Sequence, residues 1–336
     1  MKGAYNRVCK ERLIQRISTR GIPKKITRWV AAFCSARTAT IQVNGQTSET
    51  QDLPQAGLPQ GSPLSLILFL FFNADLVQRR ITWNGGAIAF VNDFSAWVAG
   101  PTAKENRKGI KSIINMALDW EGRSGATFEA EKTAIIHFTK SEYKSDSEAF
   151  TIKGLEVRPK THVKILGLVM DTRLKYKEHI ARAATKGLKA AMELKRLKGL
   201  SPATARQLFT AMVAPVVDYA SNVWRHNCIH KKAKMLDRVQ KIGALAITGA
   251  FRTVATSVAE AEAHISSMQE RLWKRALKLW VELYVLPDSN PLRREASRML
   301  RVWKNGVQSP FQQVAVAFNA SALNELETIQ PFTLPP

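Results

Sequence analysis

Acidic residues are scarce in this chain of 336 residues: 27 Asp and Glu stand against 50 Lys and Arg, a formal charge of +23. Cysteine is scarcer still, with only Cys9, Cys34 and Cys228 and no CxxC pair. An odd, scattered set excludes a disulfide scaffold and implies a reducing, intracellular compartment, nuclear or cytoplasmic. Long apolar runs are also missing. The longest, Leu64 to Phe72, is far below the roughly 20 residues of a membrane span, so it is expected to be a buried core helix and no membrane partner is implied. No signal peptide, lipidation signal or internal repeat is visible. The cluster His226-Asn227-Cys228-Ile229-His230 alternates in a way that matches no zinc-ligand spacing.

What is present is a globular composition with a strong charge bias. A hydrophobic content of 45% excludes a disordered chain, and the length accommodates two domains. Residues 1–150 carry 20 basic against 13 acidic side chains, and residues 151–336 carry 30 against 14. A sequence pI near 10.2 points to a polyanionic partner, most strongly for the second half.

The pattern along the chain divides in the same place. Arg12 to Arg20 and Lys24 to Ser35 read as helices separated by Gly21-Ile22-Pro23. Residues 38–50 alternate around Asn44-Gly45 and read as a β-hairpin. Ser62-Pro63 opens a helix to about Arg80, with Ser62 as the N-cap. Two apolar runs, 87–91 and 94–99, read as strands joined at Asn92-Asp93. Thr102 to Glu105 predicts a capping box at the head of a helix ending near Gly122 or Gly125. Thr133 to Phe138 predicts a strand, a hairpin is expected around Gly154, and Val163 to Met170 reads as one apolar strand. Beyond Asp171 the pattern predicts helices at 176–198, 202–224, 231–247, 257–286 and 291–303, then a loose tail from Asn319 to Pro336. The fold class expected is α+β, a small antiparallel sheet region followed by an all-helical one.

Four motifs in the first half carry chemistry. The loop Gly57-Leu58-Pro59-Gln60-Gly61-Ser62-Pro63-Leu64-Ser65 combines glycines, which allow close backbone approach, with a helix N-terminus, which favours phosphate. About thirty residues later comes Val91-Asn92-Asp93, flanked by the two strand-like runs. Gly125 to Thr133 then leads through Lys132 into the expected strand, and Lys164-Ile165-Leu166-Gly167 follows. Together, in this order, these resemble the reverse transcriptases of non-LTR (LINE-type) retrotransposons. The likeness is specific over the first 170 residues and rests on order and charge behind them. One departure is Leu66, where the family usually has proline.

The resemblance implies a partial polymerase palm at 1–170, a basic helical thumb or connection region at 171–304 and a polar tail at 305–336. It implies Mg2+ as cofactor and an RNA and DNA template–primer duplex as partner. Pro59, Gln60, Gly61 and Ser62 would line the nucleotide and template site, and Lys132 would lie near the leaving pyrophosphate as general acid. Leu166 and Gly167 would form the primer grip. At the hairpin tip the family has two aspartates; here Asn92 stands in the first place and Asp93 in the second. The family's first palm aspartate would fall immediately before Met1, so the implied protein is an N-terminally truncated copy. An amide can touch a cation but cannot offset its charge, which leaves Asp93 as the metal candidate and predicts an inactive enzyme.

The helix expected at 176–198 points to nucleic acid from the residues themselves. Ile180, Ala184, Leu188 and Ala191 fall on one face, and Arg182, Lys186, Lys189 and Arg196 on the opposite one. Such a stripe fits a phosphate backbone followed without sequence readout. The alternative to the polymerase reading is therefore a non-enzymatic, sequence-independent nucleic-acid-binding protein; a helical interaction module is a third.

Overall fold

The computed structural model describes residues 3–54, 56–81, 84–139, 147–228, 231–301 and 309–317. It divides into two compact units, Met1–Thr161 and His162–Pro336. The architecture is mixed, with helices and small antiparallel sheets, as an α+β chain requires.

In the first unit, helices α1 (Lys10–Thr19) and α2 (Lys24–Phe33) flank the Gly21 break. Four short strands follow: β1 (Thr38–Ala39), β2 (Gln42–Val43), β3 (Gln46–Thr47) and β4 (Gln51–Asp52). The β2–β3 pair turns at Asn44-Gly45, and β1 pairs with β4 outside it. Helix α3 (Pro63–Val77) is apolar nearly all round. It buries Leu68, Phe69, Phe72 and Leu76 at helical spacing, against Leu13 and Ile17 of α1, while Leu66, Ile67 and Leu70 remain exposed. Each fully buried side chain of this size contributes roughly 1.5–3 kcal/mol.

Arg16 of α1 sits inside this apolar core. Its guanidinium lies 4.8 Å from the Phe72 ring and 5.4 Å from Trp120. It donates to the Phe72 carbonyl and the Ser124 hydroxyl, each at 2.6 Å, and pairs with Asp75 at 2.7 Å. Burial pushes its pKa down, and Asp75 opposes that shift. The pairing satisfies a charge that would otherwise be costly in an apolar core.

Strands β5 (Gly85–Phe90) and β6 (Asp93–Val98) form a hairpin, followed by helix α4 (Ala103–Ser124). Thr102 caps α4 by accepting the Glu105 backbone N–H at 3.2 Å. A second hairpin, β7 (Phe150–Ile152) and β8 (Leu155–Val157), turns at Lys153-Gly154. Arg107 of α4 holds it by donating to the carbonyls of Glu148 and Ala149, with its guanidinium 4.2 Å from the Phe150 ring. The strand expected at Thr133–Phe138 does not form. Lys160 N–H donates to the Ile135 carbonyl at 2.7 Å, but residues 133–138 take no strand conformation.

The second unit begins with a hairpin, β9 (His162–Ile165) and β10 (Leu168–Asp171), where one continuous strand was expected. Helix α5 (Lys177–Arg196) follows, then α6 (Pro202–Leu208), a π-helical turn at Phe209–Val213, α7 (Ala214–Asp218) and α8 (Ser221–Trp224). The single helix expected at 202–224 is thus broken: Pro215 enters near the head of α7, and Ala220 adopts a φ of +53°. Helices α9 (Lys231–Thr248), α10 (Thr256–Glu262), α11 (Met268–Tyr284), α12 (Pro291–Arg301) and α13 (Pro310–Ala317) complete the unit. The helix expected at 257–286 is likewise two helices, because Ser267 and Glu270 form a capping box that starts α11 afresh.

The core of this unit is the packing of α5 on α9. At Gly187 the side chains of Val217 on α7 and Val239 on α9 press so close to the helix that a Cβ would stand 2.4 Å from Val217 Cγ2 and 3.2 Å from Val239 Cγ1. A buried ion pair ties α7 to α11: Asp218, 1% exposed, accepts from Arg271 Nε at 3.0 Å and Nη2 at 3.1 Å. Among the described residues, no helix is long and apolar enough to cross a membrane. His230 of the His-Cys-His cluster and the expected tail at 319–336 lie outside the described residues.

Candidate functional site

The β5–β6 hairpin sets the geometry of the acidic tip. Phe90 pairs directly with Asp93, so the turn is the two residues Val91 and Asn92. The joint lies one residue earlier than the expected Asn92-Asp93, and Asp93 opens strand β6. Val91, not Asn92, takes the positive φ, at +53°. That conformation is unusual for a β-branched residue. A clamp holds it: Asn73 of α3, 2% exposed, donates from Nδ2 to the Val91 carbonyl at 2.6 Å. Asn73 Oδ1 is buried with no hydrogen-bond partner.

Asp93 is exposed and Asn92 half-buried. The pairing register puts Asp93 on the same sheet face as Phe90, Ile88 and Trp97, all three exposed. Trp97 lies across Gly86, where a Cβ would stand 2.5 Å from the indole ring. Among the described residues, no three His, Cys, Asp or Glu side chains converge as a metal site.

The Gly57–Ser65 loop is built by backbone docking. Leu58 N–H donates to the Tyr5 carbonyl at 2.8 Å, and Gly57 N–H to the Asn6 carbonyl at 3.2 Å. A Cβ at residue 57 would stand 2.2 Å from Tyr5 O, so only glycine fits. Ser62 occupies the N-cap position of α3, yet its side chain makes no capping bond. Leu58 is buried, whereas Gln60 is exposed. The loop lines a cavity of about 530 Å³ together with Asn6, Arg37, Asp52 and Leu53.

Lys132 ends a 3₁₀ turn, Ala130–Lys132, with its side chain exposed and paired with Glu129. The Glu129 hydrogen bond and charge push its pKa up. The hairpin approaches this segment through Phe94, whose ring lies 6.3 Å from that of Phe128. Its link to the Pro59–Ser62 loop runs through α3, from Pro63 to Asn73, about 15 Å of helix.

The remaining expected residues belong to the second unit. Leu166 and Gly167 form the β9–β10 turn, with φ of +46° and +87°, the pattern of a type I′ turn. Tyr219, which sequence reasoning missed, donates its hydroxyl to the Leu166 carbonyl and lays its ring beside Gly167. Beneath the hairpin, His179 of α5 accepts the Val169 N–H at Nδ1, 3.3 Å away. Arg182, Lys186, Lys189 and Arg196 of α5 are all exposed, opposite the buried Ile180, Ala184, Gly187 and Ala191. Lys189 meets Glu193 at 4.0 Å.

The first unit thus carries a tight two-residue hairpin with an acid at its tip and a glycine-rich loop entering an apolar helix. The family model for reverse transcriptase (RNA-dependent DNA polymerase) matches residues 1–170, and the chain belongs to that family. Its curated relatives are mobile-element polymerases of the non-LTR, LINE type. The chain is similar to the probable RNA-directed DNA polymerase from transposon X-element of Drosophila melanogaster, 24% identical over 263 residues, 73% of this chain and 28% of that protein. The RNA-directed DNA polymerase from mobile element jockey of the same species is 22% identical over 298 residues, covering 85% of this chain and 32% of its own length. The probable RNA-directed DNA polymerase from transposon BS is 22% identical over 234 residues, 67% of this chain and 26% of the relative. The chain thus spans between a quarter and a third of the length of these relatives.

Proposed function

We propose that this chain is the palm and thumb portion of a non-LTR retrotransposon reverse transcriptase, with residues 1–170 as palm, 171–304 as thumb or connection and 305–336 as a polar tail. In this portion strand binding persists and nucleotidyl transfer does not. The observation that carries the reading is the hairpin tip, where Asn92 stands beside the single exposed carboxylate of Asp93. Nucleotide joining by two divalent ions needs several carboxylates to offset their charge. One carboxylate and one neutral amide do not fit that requirement. Pro59, Gln60, Gly61 and Ser62 would face nucleotide and template, Lys132 the pyrophosphate, and Leu166-Gly167 the primer end.

The exposed stripe Arg182, Lys186, Lys189 and Arg196 would follow the phosphate backbone of an RNA and DNA template–primer duplex, attracted by charge and indifferent to sequence. Two measurements test the reading. Primer extension on an RNA template with Mg2+ or Mn2+ is expected to give no product, and robust synthesis would overturn the inactivity. Duplex affinity should fall steeply with salt, and charge reversal at Arg182, Lys186 and Lys189 should weaken it; unchanged binding would remove the backbone role of α5.

A further inference from the structure

The cavity beside the Gly57–Ser62 loop is lined by Arg37, a half-buried residue with one unpartnered guanidinium nitrogen. Arg37 follows Ala36, whose φ is +49°, and precedes β1, so its backbone is fixed on both sides; its carbonyl accepts the Leu53 N–H at 2.7 Å. Its Nη1 is buried and has no hydrogen-bond partner. A buried guanidinium N–H left unpaired costs the desolvation of that group, and an incoming acceptor removes the cost. Asp52 lines the same cavity as Arg37. The pairing of β1 with β4 sets Asp52 opposite Thr38, one residue along from Arg37.

We infer that Arg37 binds one phosphodiester of a single nucleic-acid strand passing over the Gly57–Gln60 loop. This deepens the reading of that loop given above. A guanidinium presents a planar fork that matches two phosphate oxygens. The Asp52 carboxylate on the neighbouring wall selects the source of the phosphate. A phosphodiester carries one negative charge and is tolerated beside it, whereas a free nucleoside triphosphate brings several and is repelled. Leu53, which lines the same cavity and is 39% exposed, supplies apolar surface for the adjoining sugar or base.

The test uses the full chain, a ten-nucleotide single-stranded RNA and, separately, a deoxynucleoside triphosphate. Arg37→Gln should bind the RNA about tenfold more weakly, the loss of one charged hydrogen bond, and should lower the slope of log affinity against log salt by about 0.7, the share of one phosphate on a single strand. Asp52→Asn should raise triphosphate affinity. Phenylglyoxal modification of the unaltered protein, read at Arg37 by mass spectrometry, tests the same contact even where Arg37→Gln fails to fold. Protection by the RNA and not by the triphosphate supports the inference. Protection by the triphosphate alone, or by neither, overturns it, as does an Arg37→Gln variant with wild-type affinity and slope. Loss of RNA binding on α5 charge reversal, with Arg37→Gln unchanged, would sink this site and leave the proposed strand binding standing; the converse would spare Arg37 and remove the α5 role.

Discussion

Two tight turns, one in each unit, solve the same problem with different materials. Both place a non-glycine residue in the left-handed region, Val91 at +53° and Leu166 at +46°, and both clamp that residue's carbonyl with a side-chain donor from a distant element. At Val91 the clamp is Asn73, 2% exposed and anchored in the core of α3; at Leu166 it is Tyr219, 49% exposed. A buried clamp cannot be replaced by water when it is lost, whereas an exposed one can. The acidic tip is thus fixed by the interior of its unit, while the second turn is fixed from its surface.

Removing the buried clamp should have the largest effect. Asn73→Ala leaves the Val91 carbonyl without its donor and opens space in the core, and the chain should lose about 2 kcal/mol, measured by urea unfolding. Relieving the left-handed residues comes next. Val91→Gly and Leu166→Gly should each stabilise by about 1 kcal/mol, the steric cost of αL less the added freedom of glycine. A loss at either site would mean that its turn is not under strain. Removing the exposed clamp has a smaller effect: Tyr219→Phe should cost about 0.5 kcal/mol, because water takes over at Leu166. A cost equal to that of Asn73→Ala would erase the distinction between the two turns.

The smallest expected effect is with pH and is confined to the second turn. His179 is buried, and desolvation holds its pKa below the ordinary value. Its neutral Nδ1 accepts the Val169 N–H of the hairpin, a bond that protonation there would break. A depressed histidine pKa means that the unfolded chain takes up the proton first. Stability is therefore full above the ordinary histidine pKa and declines as pH falls below it. Unfolding midpoints should drop as pH falls below about 6.5, the ordinary imidazole value. His179→Gln should flatten that slope, and an unaltered slope would show that other groups carry it.

Much of this was legible in the sequence wherever a residue type encodes its own backbone. Asn44-Gly45 and Lys153-Gly154 announce hairpins because glycine and asparagine accept positive φ. The Val91 turn and the Leu166-Gly167 turn were harder to read, because valine and leucine disfavour that region and the strain is supported from outside the turn. Tyr219 lies 53 residues from the carbonyl it holds, so no local pattern exposes it. The break before α11 was readable in Ser267-Met268-Gln269-Glu270, but the apolar periodicity on either side masked it. Arg16 and Arg37 were invisible for a related reason. A lone arginine in a basic chain reads as solvated surface until the fold half-buries it.

The close approach at Gly187 reaches beyond packing. Because α5 cannot shift against Val217 of α7 and Val239 of α9 without a clash or a void, its exposed cations ride on a stiff rod about 21 Å long between Arg182 and Arg196. Preorganised charges lose little freedom when a polyanion arrives, so their attraction is spent on holding the ligand and not on ordering the protein. A methyl group at that single glycine would therefore be felt at a surface it never touches.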